Sequence, residues 1–180
     1  FLDHSVAGLI WPLMDKFSTV RHVVLMDDGA PAPDADAIRA DVHDYEELLA
    51  AADPVEWTRV EENRAGSMMY TSGTTGNPKG VVYSHRSMVL HTFGAMMADT
   101  LGVCESDVIL PVVPMFHANA WGLAHAAVAT GATMVMPGAN LSAPALADLL
   151  ESEKVTLAAG VPTIWMGVLA ELEGRDVSSL

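Results

Sequence analysis

At 180 residues and a formal charge of −14, the chain has the size of one domain or of a piece of a larger one. Nine basic against 23 acidic residues exclude a general nucleic-acid binder and docking on anionic lipid, since both need a basic face. A hydrophobic content of 51% with 18% charged residues excludes disorder for the bulk of the chain. The single cysteine, Cys104, excludes an internal disulfide and a multi-cysteine metal site, and reads as a small hydrophobe near a helix end.

Residues 1–64 carry 14 of the acidic and five of the basic residues, so the acidity is concentrated there and residues 65–180 are the more buried part. In chain order, His22-Val23-Val24-Leu25-Met26 predicts a short strand, followed by a loop rich in Asp, Gly and Pro. Tyr45 to Ala52 predicts a helix stopped before Pro54. Ser67 to Thr71 predicts a strand that runs into a Gly/Thr/Ser loop. Ser84 is the expected N-cap of a helix to about Leu101, with Leu90, Phe93, Met97 and Leu101 at helical spacing. Asp107 to Pro114 predicts a strand, and Ala120 to Ala129 a helix ending at Gly131. Ala132 to Met136 is a further strand, Ser142 to about Lys154 a helix, and Val155 to Gly160 a strand. Thr163 is the expected cap of a last helix through Glu173. Alternating strands and helices predict an α/β fold with a predominantly parallel sheet and helices on both faces. On such sheets ligands bind at the carboxyl ends of strands, here the loops after Tyr70, Val113 and Ala159.

The loop Tyr70-Thr71-Ser72-Gly73-Thr74-Thr75-Gly76-Asn77-Pro78-Lys79-Gly80 combines tight-turning glycines, four hydroxyls and one lysine. Backbone amides, hydroxyls and a cation together make a polyphosphate cradle. The Walker pattern does not fit, because Asn77-Pro78 separates Gly76 from Lys79 and a glycine follows the lysine. The loop and its continuation Val81-Val82-Tyr83-Ser84-His85-Arg86 resemble the phosphate loop of the AMP-forming adenylating enzymes. These comprise the acyl-CoA synthetases, luciferases and the adenylation domains of peptide synthetases. The segment Met115-Phe116-His117-Ala118-Asn119-Ala120-Trp121 is most similar to the medium- and long-chain fatty acyl-CoA synthetases. Gly160-Val161-Pro162-Thr163 resembles a turn along the substrate tunnel of that branch.

The resemblance implies an ATP-dependent ligase that converts a fatty acid first to an acyl-adenylate and then to acyl-CoA, releasing pyrophosphate and AMP. It implies that Thr71, Ser72, Gly73, Thr74, Thr75, Gly76 and Lys79 hold the phosphates of ATP, and that Thr71 contributes to a Mg²⁺ site. It implies that His117 and Lys79 act in catalysis, and that His117, Ala118, Trp121, Gly160 and Val161 line the acyl channel. Fatty acid, ATP and CoA are the expected partners, with no nucleic acid and no membrane span. Homo-oligomerisation is compatible with an incomplete sheet. The glutamate that completes the Mg²⁺ site, the adenine and ribose motifs and the small C-terminal domain with its catalytic lysine are not in the sequence. The expectation is therefore an internal piece of the large N-terminal domain, inactive alone, with residues 1–64 an acidic edge and 65–180 the AMP-binding core.

No apolar stretch reaches the ~18 residues of a membrane span, no basic stretch precedes an apolar run, and a cytoplasmic setting is expected. His4, His22, His43, His91 and His125 read as structural or surface residues without metal-ligand spacing. Methionines 68, 69, 88, 96, 97, 134 and 136 read as core. Two alternatives stay open: another carboxylate-adenylating enzyme acting on aryl or amino acids, and a non-catalytic nucleotide-binding or interaction module.

Overall fold

The computed structural model describes residues 1–71 and 76–175. The chain divides into two compact units, Phe1–Thr58 and Arg59–Leu180.

In the first unit, strands β1 (Leu2–Asp3), β2 (His22–Met26) and β3 (Asp41–Asp44) form a parallel sheet in that order. Helix α1 (His4–Ile10) continues from β1, and α2 (Tyr45–Ala51) from β3. The Asp44 carboxylate caps α2 by accepting from the Glu47 amide at 2.9 Å. The core is small, with Ala7, Val23 and Leu25 buried. β2 and α2 follow the sequence reading; β1, β3 and α1 are additions to it.

In the second unit, β4 (Ala65–Thr71) and β5 (Lys79–Ser84) form an antiparallel hairpin. This pair is an exception to a purely parallel arrangement, because β5 runs back directly beside β4. Helix α3 (His85–Met96) follows, its Ser84 hydroxyl accepting from the Ser87 amide at 3.1 Å as expected of a cap. It ends at Met96, not near Leu101. Met97 is extended, and the Thr100 hydroxyl donates back to the carbonyls of Gly94 and Met97.

A three-stranded parallel sheet in the order β7-β6-β8 comprises β6 (Val108–Pro111), β7 (Thr133–Met134) and β8 (Leu157–Ala159). Its helices are α5 (Leu123–Thr130), α6 (Ala143–Ser152) and α7 (Pro162–Leu172). A four-residue turn, α4 (Ala118–Trp121), precedes α5. Successive β6 side chains point to opposite faces. Ile109 packs with Leu123, Ala126 and Ala95 on one face, and Leu110 with Leu146 and Val168 on the other. Both faces are thus covered by helices, which is why this strand reads as a continuous apolar run. Gly131 ends α5 with φ +82°, donating its amide to Ala127 at 2.8 Å. The last helix is capped at Val161, not Thr163, because Pro162 occupies its first turn, where a missing amide costs nothing.

Candidate functional site

Two carboxyl-end loops leave the parallel sheet side by side. The amides of Val112 and Val113 both donate to the carbonyl of Ala159, at 2.8 and 2.9 Å. This extends β6 along the end of β8, so that Pro114–His117 and Gly160–Val161 start from neighbouring strands. His117 is exposed in extended backbone and Phe116 is 82% exposed. Val161 is exposed, whereas Gly160 is covered by Trp165, whose indole nitrogen donates to the Gly160 carbonyl at 2.9 Å. A Cβ at Gly160 would lie 2.8 Å from the Trp165 ring, so this glycine is required by packing.

The chain after His117 departs most from expectation. In place of one helix from Ala120, the residues Ala118, Asn119, Ala120 and Trp121 have φ of 48°, 49°, 48° and 57°, and Gly122 has φ 77°. Five successive residues thus lie in the left-handed region before α5 begins. Each non-glycine there costs roughly 1–2 kcal/mol, and such strain persists only where the surroundings over-determine it. Three fixtures hold the turn. Ala120 and Leu123 are fully buried. The amides of Ala120 and Gly122 donate to the carbonyls of His117 and Asn119, at 3.2 and 2.9 Å. The His91 Nε2–H, from α3, donates to the Trp121 carbonyl at 2.9 Å.

The turn borders a cavity of about 450 Å³ whose walls include Met69, Tyr83, His91, Ala118, Trp121 and His125, with Met88 also lining it. His91 and His125, read as structural or surface residues, therefore belong to this cavity. Their positions on α3 and α5 meet only in the fold, and no local sequence pattern marks them. His117, Gly160 and Val161 are not among its walls. Several methionines are also not core: Met68, Met97 and Met136 are more than half exposed, while Met69 and Met88 face the cavity.

The hairpin joins this cavity to the ends of the Gly/Thr loop. Thr71 and Lys79 are direct cross-strand partners, as are Met69 with Val81 and Ser67 with Tyr83. Directly paired residues and those two positions along share one face of a sheet. One face therefore carries Thr71 and Lys79 at the loop end, with Met69 and Tyr83 behind them on the cavity wall. Thr71, Gly76 and Lys79 are exposed. Ser72, Gly73, Thr74 and Thr75 lie outside the described residues.

Away from this site, the first unit brings His4, Asp27 and Asp28 together, with ligand atoms within 4.8 Å of one another, a proximity made by the fold and not by spacing along the sequence. His4 Nδ1 is 3.3 Å from the Ala30 carbonyl and donates to it, which takes that nitrogen's lone pair out of consideration as a ligand. Cys104, read as a small hydrophobe near a helix end, is exposed, with its sulfur 3.2 Å from the Ser106 hydroxyl. Among the described residues, no helix is long and apolar enough to cross a membrane.

Comparison with known proteins gives the relatives of this arrangement. The chain is 46% identical over 184 residues to the 3-methylmercaptopropionyl-CoA ligase of Ruegeria pomeroyi, covering 100% of the chain and 34% of that protein. It is 46% identical over 172 residues to the long-chain-fatty-acid–CoA ligase of Thermus thermophilus, covering 95% of the chain and 30% of that protein. It thus spans about a third of the curated relatives it matches. The fold is similar to that of o-succinylbenzoate coenzyme A synthetase from Bacillus subtilis, solved in complex with ATP and magnesium ion. There the TM-score is 0.62 with 24% identity, over 92% of this chain and 34% of that one. A family model described as AMP-binding enzyme matches residues 9–180. That match, over an α/β fold in which Thr71 and Lys79 pair across the ends of the Gly/Thr loop, makes the chain a member of the AMP-binding enzyme family.

Proposed function

We propose that the chain is the part of a fatty acid–CoA ligase that holds the phosphates of ATP and the near end of the acyl chain. One observation carries this reading. A single hairpin face bears a hydroxyl–ammonium pair at a Gly/Thr loop and, behind it, the wall of a largely apolar cavity. A polyanion and an alkyl chain meeting at one carboxylate need that adjacency. Residues 65–180 are the nucleotide-binding core in this reading, and residues 1–64 its acidic edge.

The first step is attack of the substrate carboxylate on the α-phosphorus of ATP, forming a C–O–P bond and expelling pyrophosphate. Two anions must approach, and negative charge builds on the leaving group. Lys79 would neutralise that charge, with Ser72, Gly73, Thr74, Thr75 and Gly76 supplying hydrogen bonds to phosphate oxygens. Thr71 offers one neutral oxygen, which suits Mg²⁺ only if phosphate oxygens and water complete its shell. When bound, Mg²⁺ would offset phosphate charge. His117, at the carboxyl end of β6, would orient the carboxylate, and Ala118, Trp121, Gly160 and Val161 would border the acyl path. In the second step the CoA thiol attacks the acyl carbon and AMP leaves. The exposed Cys104 thiol is compatible with a reducing cytoplasm, where ATP and CoA are available.

The test uses the full-length protein with ATP, Mg²⁺ and CoA against alkanoic, aryl and amino acids, read as pyrophosphate release and acyl-CoA formation. Alkanoates are expected to support both. Release with aryl or amino acids alone would overturn the fatty acyl assignment. No release with any carboxylate would point to the non-catalytic reading.

A further inference from the structure

We infer that His91 is a positioning residue that sets acyl selectivity by holding the left-handed turn Ala118–Gly122, and with it Trp121, over the cavity; this rests on the ligase reading above. The Trp121 carbonyl can only accept, so His91 Nε2 carries the hydrogen across 2.9 Å. The approach is close: a Cβ on Gly122 would lie 2.5 Å from His91 Cδ2 and 2.7 Å from Nε2. Glycine at 122 thus serves both the positive φ and the seat of the imidazole.

His91 has a firm base. It sits at the end of the second turn of α3, where its neighbour Thr92 is buried and donates to the Met88 carbonyl at 2.8 Å. Trp121 has no such base. The residue is 42% exposed and borders the cavity, so the indole's position follows the backbone. The strained turn is pinned from below by Ala120 and Leu123, both fully buried. At the cavity rim, the His91 contact is the side-chain bond that holds it. Releasing the carbonyl lets the turn relax toward right-handed backbone, which moves the indole and changes the length and width of the cavity. Acyl selectivity is therefore set through a residue 30 positions upstream that need not touch the reacting atoms.

The experiment compares wild-type full-length protein with His91→Leu and His91→Gln. Leucine keeps bulk without a donor, and the glutamine amide places a donor near the position of Nε2. Two readouts are taken: amide hydrogen exchange over residues 118–122, and steady-state kinetics with a series of alkanoic acids. In His91→Leu, exchange at Ala120 and Gly122 is expected to quicken and KM for the acid to rise about fivefold, the scale of one lost hydrogen bond. The chain-length profile flattens while KM for ATP stays within about twofold, and His91→Gln restores both readouts. Unchanged exchange in His91→Leu overturns the anchor. Faster exchange with unchanged KM and chain-length profile overturns the selectivity role. A matched fall in kcat and rise in both KM values that glutamine does not rescue reduces His91 to a structural residue and also overturns it. If wild type forms no acyl-CoA from any alkanoate while exchange still responds to His91→Leu, the ligase reading fails and takes the acyl role with it, leaving the anchor alone.

Discussion

Thr71 and Lys79 face one another across the antiparallel pair that closes the loop of residues 72–78. Their side chains leave the same face of the hairpin, so a hydroxyl-bearing and an ammonium-bearing residue stand side by side where the loop opens. The pairing places a lysine three positions beyond the Gly/Thr run back beside the residue that opens the loop. In the full-length protein, Lys79→Ala is expected to slow adenylate formation by roughly 10²-fold, the scale of removing one transition-state charge partner. Thr71→Ala is expected to slow it less, and Thr71→Ser to recover most of the rate. Isotope exchange between pyrophosphate and ATP measures this step. Exchange rates unchanged in both alanine variants would remove the loop from the chemistry.

Gly122 and Gly131 both have strongly positive φ, at 77° and 82°, yet they should respond differently to alanine. At Gly131 the nearest atom to an added Cβ is Glu105 Cγ at 3.8 Å, so only the left-handed strain of about 1 kcal/mol applies. At Gly122 the imidazole of His91 must also move and give up its bond, for a total of about 2 kcal/mol. Urea melts of the two variants check the order. In a His91→Ala background, Gly122→Ala should fall to the Gly131→Ala cost, because the two residues act on one contact. Additive costs would contradict the coupling.

The start of β6 is tied to the start of β8 by a carboxylate. Asp107 accepts from the Cys104 amide and from the Thr156 hydroxyl, each at 2.8 Å, and Thr156 accepts from the Val108 amide at 3.0 Å. These donors hold the Asp107 carboxyl below its ordinary value, the Cys104 amide first and the Thr156 hydroxyl next. The folded state therefore favours the ionised form. Its contribution is complete above the ordinary carboxylate value of about 3.9 and is lost as pH falls through the lower folded value. Asp107→Asn should be less stable than wild type by about 1 kcal/mol at pH 6, with the gap closing as pH falls through the lowered folded value. Denaturant melts across that range test the sign; a gap that widens on acidification would refute it.

Arg175 joins α7 to α6. It lies 2.6 Å from Asp148, 2.7 Å from Glu171 and 3.9 Å from Glu151, and the Glu171 contact first and the Asp148 contact next hold its guanidinium more firmly charged. Arg175→Ala should lower the melting temperature in dilute buffer, and the difference should shrink by about half in 0.5 M NaCl as the exposed carboxylates are screened. A salt-independent difference would instead assign the effect to lost packing of its stem.

Much of the second unit was legible because its signals are local. Ser84 caps α3, Gly131 closes α5, and the apolar run at Val108–Pro111 belongs to a strand covered on both faces. The hairpin strand β5 was hidden. Lys79–Ser84 is exposed nearly throughout, so it lacks the half-buried alternation that marks a strand. The left-handed turn was hidden for a different reason. Ala-Asn-Ala-Trp has the composition of a helix, and only Asn119 and Gly122 tolerate positive φ readily. What forces the turn is tertiary, namely the burial of Ala120 and the bond from His91. The site followed the same division. The loop residues were readable as a contiguous motif, while His91 and His125 reached the cavity from separate helices.

The turn at 118–122 also inverts a rule of handedness. Elsewhere in a folded chain, replacing alanine with glycine destabilises by freeing the unfolded backbone. At Ala118, exposed and at φ 48°, the mirror-image backbone makes the Cβ itself the burden. Ala118→Gly should therefore be neutral or stabilising by up to about 1 kcal/mol, and D-alanine at the same position more so. Here the protein spends chirality: L-residues are kept in a shape that their enantiomers would adopt unaided, so that an indole faces the cavity.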